Sequence, residues 1–141
     1  MAGTIIADNV NAASTSTLIL KNGVASAAPQ FQDASGVQIG TLCRAWVNFN
    51  GTGTIAIRSS FNISSITDNG VGNYTINLTT AIYDAEYSTS LGYSRLNAST
   101  DPTQVGFIGC GAKTTSSLRV FTDGTTGTAI DFEAISVSIF R

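Results

Sequence analysis

The chain has 141 residues, nine acidic and seven basic side chains, a net charge of −2 and no histidine. Its few cations are scattered, so it has no patch to displace the counterions of a nucleic acid, and no run approaches the ~18–20 apolar residues of a membrane span. Without histidine, Ser-His-Asp and Cys-His nucleophile activation are both excluded.

At this length one domain forms, with room for a short arm. Charged residues make up 11% of the chain, against about 25% in ordinary globular domains. Ser, Thr and Asn replace them, as in an all-β protein with a short-chain polar surface. Depleted charge also suits a surface that meets copies of itself.

Residues 1–40 read as an extended N-terminal anchoring arm. Short apolar pieces, Ile5-Ile6 and Leu18-Ile19-Leu20, are set in Ala, Ser, Thr and Asn. Lys21-Asn22-Gly23 is a turn signal, and Ala25-Ser26-Ala27-Ala28-Pro29 is an extended linker. Phe31-Gln32-Asp33-Ala34-Ser35-Gly36 reads as a short strand and turn. The arm is too poor in apolar residues for its own core, and Ile5, Ile6, Leu18, Ile19 and Leu20 suit strand addition to another chain. The first residues lack the basic and apolar regions of a secretory signal, so assembly in a cytoplasm is expected.

From 41 to 141 turn signals recur at the spacing of a sandwich. Strands are predicted at 42–49, 54–66, 73–80, 86–95, 104–110, 117–122 and 129–140. In the first, Ala45, Val47 and Phe49 alternate with Arg44, Trp46 and Asn48. Asn50-Gly51 is expected to supply the positive φ angles of a tight hairpin. In the last, Ile130, Phe132, Ala134 and Ser136 alternate with Asp131, Glu133, Ile135 and Val137. No helical periodicity is present, and the pattern predicts an antiparallel, jelly-roll-like β-sandwich. Apolar residues on both faces near the C-terminus, among them Phe121, Ile139 and Phe140, point to self-association.

The reactive side chains form weak constellations. Cys43 and Cys110 fit buried free thiols, with a disulfide as the alternative; two cysteines do not make a zinc site. Gly106-Phe107-Ile108-Gly109-Cys110-Gly111-Ala112-Lys113-Thr114 has neither the glycine order of a dinucleotide fingerprint nor the spacing of a P-loop. It reads as a glycine-rich strand close to another backbone, and no cofactor is expected. Asp84/Glu86 and Asp131/Glu133 would each share a strand face. Solvated edges are the plain reading, and glycoside hydrolysis or calcium binding are the alternatives. Among the aromatics, Trp46 shares a face with Arg44 and Asn48, a set suited to a glycan or a protein interface. Tyr87 and Tyr93 lead towards a loop at 97–102 and join that candidate set, although such rings also fill cores.

The runs Cys43 to Thr54 (CRAWVNFNGTGT) and Ser60 to Gly70 (SFNISSITDNG), with Tyr74-Thr75-Ile76-Asn77 and the terminal Ile-Phe-Arg, resemble a module of small virion proteins and tail-fibre tips of tailed bacteriophages, cyanophages among them. The resemblance covers about residues 40–140. It implies a non-enzymatic homotrimer in the virion, joined to other virion proteins through the arm and meeting a host-surface glycan. A capsid decoration or head-fibre protein is the second expectation, and a small carbohydrate-active enzyme using Asp131 and Glu133 a remote third.

Overall fold

The computed structural model describes residues 31–94 and 106–141. Ten strands follow in order: β1 Phe31–Gln32, β2 Gln38–Gly40, β3 Cys43–Asn50, β4 Ala56–Phe61, β5 Ile63–Asp68, β6 Asn73–Leu78, β7 Ser88–Ser94, β8 Gly106–Lys113, β9 Ser117–Gly124 and β10 Ala134–Phe140. No described residue is helical. Two four-stranded antiparallel sheets, ordered β4-β3-β10-β7 and β5-β6-β9-β8, enclose one core. Strands β1 and β2 form a separate hairpin before them.

The core is made by the alternation visible in the sequence. Ala45, Val47 and Phe49 of β3 and Ile135, Val137 and Ile139 of β10 face Tyr74, Ile76 and Leu78 of β6 and Leu118 and Val120 of β9. Phe49 meets Tyr74 edge-on, ring centroids 5.2 Å apart, so the central strands of the two sheets interlock. Each large apolar side chain buried this way contributes about 1.5–3 kcal/mol. Outward positions of the same strands carry Asn, Ser, Thr, Arg44, Arg119 and a few aromatics.

Three local expectations are corrected. The strand predicted at 54–66 is two strands in different sheets, broken at Asn62, whose φ is +59°. Asn tolerates the left-handed region better than most residues. Its side chain then holds the corner: Nδ2 donates to the carbonyls of Arg44 and Thr80, and Oδ1 accepts from the Thr80 amide. Periodicity runs unbroken through such a corner, because a one-residue reversal leaves the apolar spacing intact.

The β3–β4 connection spans residues 51–55, with the positive φ at Gly53 and not at Asn50 or Gly51. Asn50 instead ties the loop through its side chain, donating to the carbonyls of Thr52 and Thr54. Gly51 is required for close approach: an added Cβ would lie 2.7 Å from the Tyr74 hydroxyl and 2.8 Å from the Phe132 carbonyl.

The last strand begins at Ala134 and not at 129. Residues 125–133 first turn back, pairing Ala129 with Asp123, and then cross to the other sheet. Asp131 and Glu133 therefore do not share a strand face.

Candidate functional site

The outward face of the sheet β4-β3-β10-β7 holds the candidate contact residues of β3. Because Ala45, Val47 and Phe49 point into the core, Arg44, Trp46 and Asn48 lie on the opposite side. Trp46 remains 37% exposed. Its cross-strand partner on β4 is Phe61, 54% exposed, a residue the sequence analysis passed over. No local signal marks it, since the register that sets it beside Trp46 is a tertiary fact.

Antiparallel register extends these residues into two rows. One runs Phe61, Trp46, Ser138, Ser90 and the next Ser59, Asn48, Ser136, Gly92. Asn48 Nδ2 donates to Ser136 Oγ at 2.9 Å, which orients its amide across the sheet. The four strands contain no Asp or Glu. The Asn62 clamp onto the Arg44 carbonyl fixes the end of β4 over β3, and so holds Phe61 in place beside Trp46.

The other two candidates belong to the interior. Tyr87 is buried, its hydroxyl donating to the Ser117 carbonyl, and burial pushes that hydroxyl above its ordinary pKa. Lys113 Nζ lies 5.5 Å from its ring centroid and donates to its carbonyl. Tyr93 is half-buried, its ring stacked on Phe132 at 4.2 Å. Its hydroxyl exchanges hydrogen bonds with the backbone of Gly106 at 2.7 Å. Neither joins the Trp46 face as a contact residue. Both were singled out for chemistry that an aromatic hydroxyl also uses inside a core. Tyr83, by contrast, is 75% exposed.

Asp131 serves structure. Its Oδ1 accepts from the buried Tyr74 hydroxyl at 2.5 Å and from the Gly72 amide at 2.7 Å. Tyr74 also bonds the Gly51 carbonyl, and Gly51 N donates to Phe132 O. Burial first, and the bond to Asp131 second, drive the Tyr74 pKa far above its ordinary value. One end of the sandwich is thus tied across three segments, at Gly51, at Gly72 and Tyr74, and at Asp131 and Phe132. Asp84 is engaged differently, in a 2.6 Å ion pair with the C-terminal Arg141 that holds its carboxyl below the usual range. No group of three or more His, Cys, Asp or Glu able to hold a metal occurs among the described residues.

Both cysteines are free, but their surroundings differ. Cys43 is half-buried, whereas Cys110 is exposed on β8, correcting the expectation that both are packed inside. The glycine-rich segment is the edge strand β8, and Gly111 leaves room for the Phe121 ring, which would lie 2.5 Å from an added Cβ. Phe121 in turn carries Arg119 at 5.4 Å and stays exposed on its sheet, while Ile139 is in the core.

The arm residues Ile5, Ile6, Leu18, Ile19 and Leu20, and the 97–102 loop, lie outside the described residues. Of residues 1–40, the described ones form the β1–β2 hairpin. Residues 31–39 are all exposed, including Phe31, Val37 and Ile39, and Leu42 just after it is exposed too. No protein-family model, curated protein or solved structure matches the chain.

Proposed function

We propose that the chain is a non-enzymatic structural protein of a tailed-bacteriophage virion. In this reading it is a fibre or tail-tip component, joined to other virion proteins through residues 1–40. Its jelly-roll-like sandwich trimerises and offers a surface to a glycan on the host. The sequence resemblance supplies the setting. The single observation that carries the attachment is the run of exposed apolar side chains ahead of the sandwich, Phe31, Val37, Ile39 and Leu42. Four large apolar groups in one short stretch have the chemistry of a segment that is covered in an assembly.

Immunogold electron microscopy of intact particles, with an antibody against residues 41–141, tests this directly. Gold at the tail is the expected result. Gold over the head would make the chain a capsid decoration or head-fibre protein, and unlabelled particles would end the virion reading. A V37D/I39D double variant should lose at least tenfold in particle incorporation while the sandwich keeps its circular dichroism. Unchanged incorporation would remove the hairpin from the attachment.

A further inference from the structure

We propose that the Trp46 face is a binding platform for an oligosaccharide built of flat hexoses with equatorial hydroxyls. The inference rests on the glycan-contact part of the function proposed above and assigns it to a place. Trp46 and Phe61 are directly opposed on neighbouring strands, so their Cβ atoms stand about 4.5–5.5 Å apart on one side of the sheet. Together they offer a half-exposed aromatic surface. Aromatic rings left partly in water at such a spot bring a large apolar contact area with little side-chain freedom to lose on binding.

The remainder of the face is polar, with Arg44 on the same side of β3 as Trp46 and no carboxylate. Continuing the two rows, Ser138, Ser90, Asn48, Ser136 and Gly92 supply hydroxyls, one oriented amide and a gap. Four strands at the usual interstrand spacing make this about 14 Å across, the length of a short run of sugar rings. A hexose with equatorial substituents has an apolar C–H face and a rim of hydroxyls. The C–H face fits the rings, and the rim fits the serine and asparagine groups beside them.

Charge also selects the occupant. The four strands carry Arg44 and Arg58 and no carboxylate, so nothing on them calls for a cationic partner. A second protein copy is a poorer match, because the cores of self-association interfaces are about 65% apolar. Beyond its aromatic rings this face is Ser, Asn, Gly and Arg44. The scaffold is held before any ligand arrives, through the Asn62 clamp on β3 and the Asn48–Ser136 bond, so little ordering is needed on binding.

Trp46 is the one tryptophan in the chain, which makes its fluorescence a local reporter. Full-length protein titrated with cellohexaose should show a saturable blue shift of Trp46 emission below about 5 mM. Phe61→Ala, which keeps the reporter, should weaken binding by roughly tenfold. Ser138→Arg should abolish it by occupying the row, and Tyr83→Ala should leave it unchanged. Absence of a saturable shift, or an unaltered affinity in Phe61→Ala with an unchanged circular dichroism spectrum, overturns the proposal. So does a blue shift that follows protein concentration without sugar, which would make the face an interface between copies. Failure here with gold on the particle would leave the virion reading standing, and binding here without gold would leave only the glycan platform.

Discussion

The end of the sandwich closed by Asp131 and the open face around Trp46 treat polar groups in opposite ways. At the closed end a buried hydroxyl, a carboxylate and two glycine backbones satisfy one another at 2.5–3.0 Å. On the open face, serine hydroxyls and an indole meet solvent, with the Asn48–Ser136 bond as an internal brace. Polar chemistry that could have been read as catalytic is consumed by the fold at the first place. At the second it is left available. The difference separates residues that hold the sandwich together from residues left facing solvent.

Substitutions should therefore sort into two classes, the closed end losing stability and the open face losing contact. Gly72→Ala should be the most damaging, destabilising by about 3–5 kcal/mol in chemical denaturation. Its φ of +65° disfavours a side chain, and an added Cβ would lie 2.3 Å from the Thr122 carbonyl. Asp131→Ala should cost about 2–3 kcal/mol by removing the carboxylate that accepts two of these bonds. Either variant measured at wild-type stability would show that the closed end does not hold the fold.

Tyr74→Phe should cost about 1–2 kcal/mol at neutral pH, and it carries a pH signature. The folded state raises the Tyr74 pKa above its unfolded value of 10.0. Stability from this group is then full below pH 10 and is lost as pH rises further, because the unfolded chain ionises first. Wild type should lose stability above pH 10 more steeply than Tyr74→Phe, as read by urea midpoints along an alkaline series. Parallel slopes would contradict the buried hydrogen bond.

The Asp84–Arg141 pair is exposed and should matter least. Its folded carboxyl titrates below the unfolded value of 3.8, so its contribution is present above about pH 4. It fades as the solution is acidified through the lower folded value. Asp84→Asn should lower Tm slightly at pH 7 and match wild type in strong acid, where a persistent difference would point to another role for Asp84.

The central strands were legible in the sequence because burial on one side imposes a period of two, as in Ala45, Val47 and Phe49. Turn chemistry located the breaks near Asp68 to Gly72 and Asp123 to Gly127, where Gly70, Gly72 and Gly127 do take positive φ. The Asn62 corner was not legible, since local spacing is the same whether a strand continues or changes sheets. The candidate site was half visible. Alternation alone placed Arg44, Trp46 and Asn48 together, but Phe61 joins them through register, and Tyr87 and Tyr93 leave because their hydroxyls bond distant backbone. The tie between Asp131 and Tyr74 spans 57 residues, a separation at which composition and motif carry no signal.

Acrylamide quenching of Trp46, followed from dilute protein through any self-association, tests most directly whether the face stays open. The expected result is efficient quenching at every concentration, with protection appearing only when oligosaccharide is added. Protection that develops as the chain assembles would contradict the account, since Trp46 and Phe61 would then be covered by another copy and unable to receive a glycan.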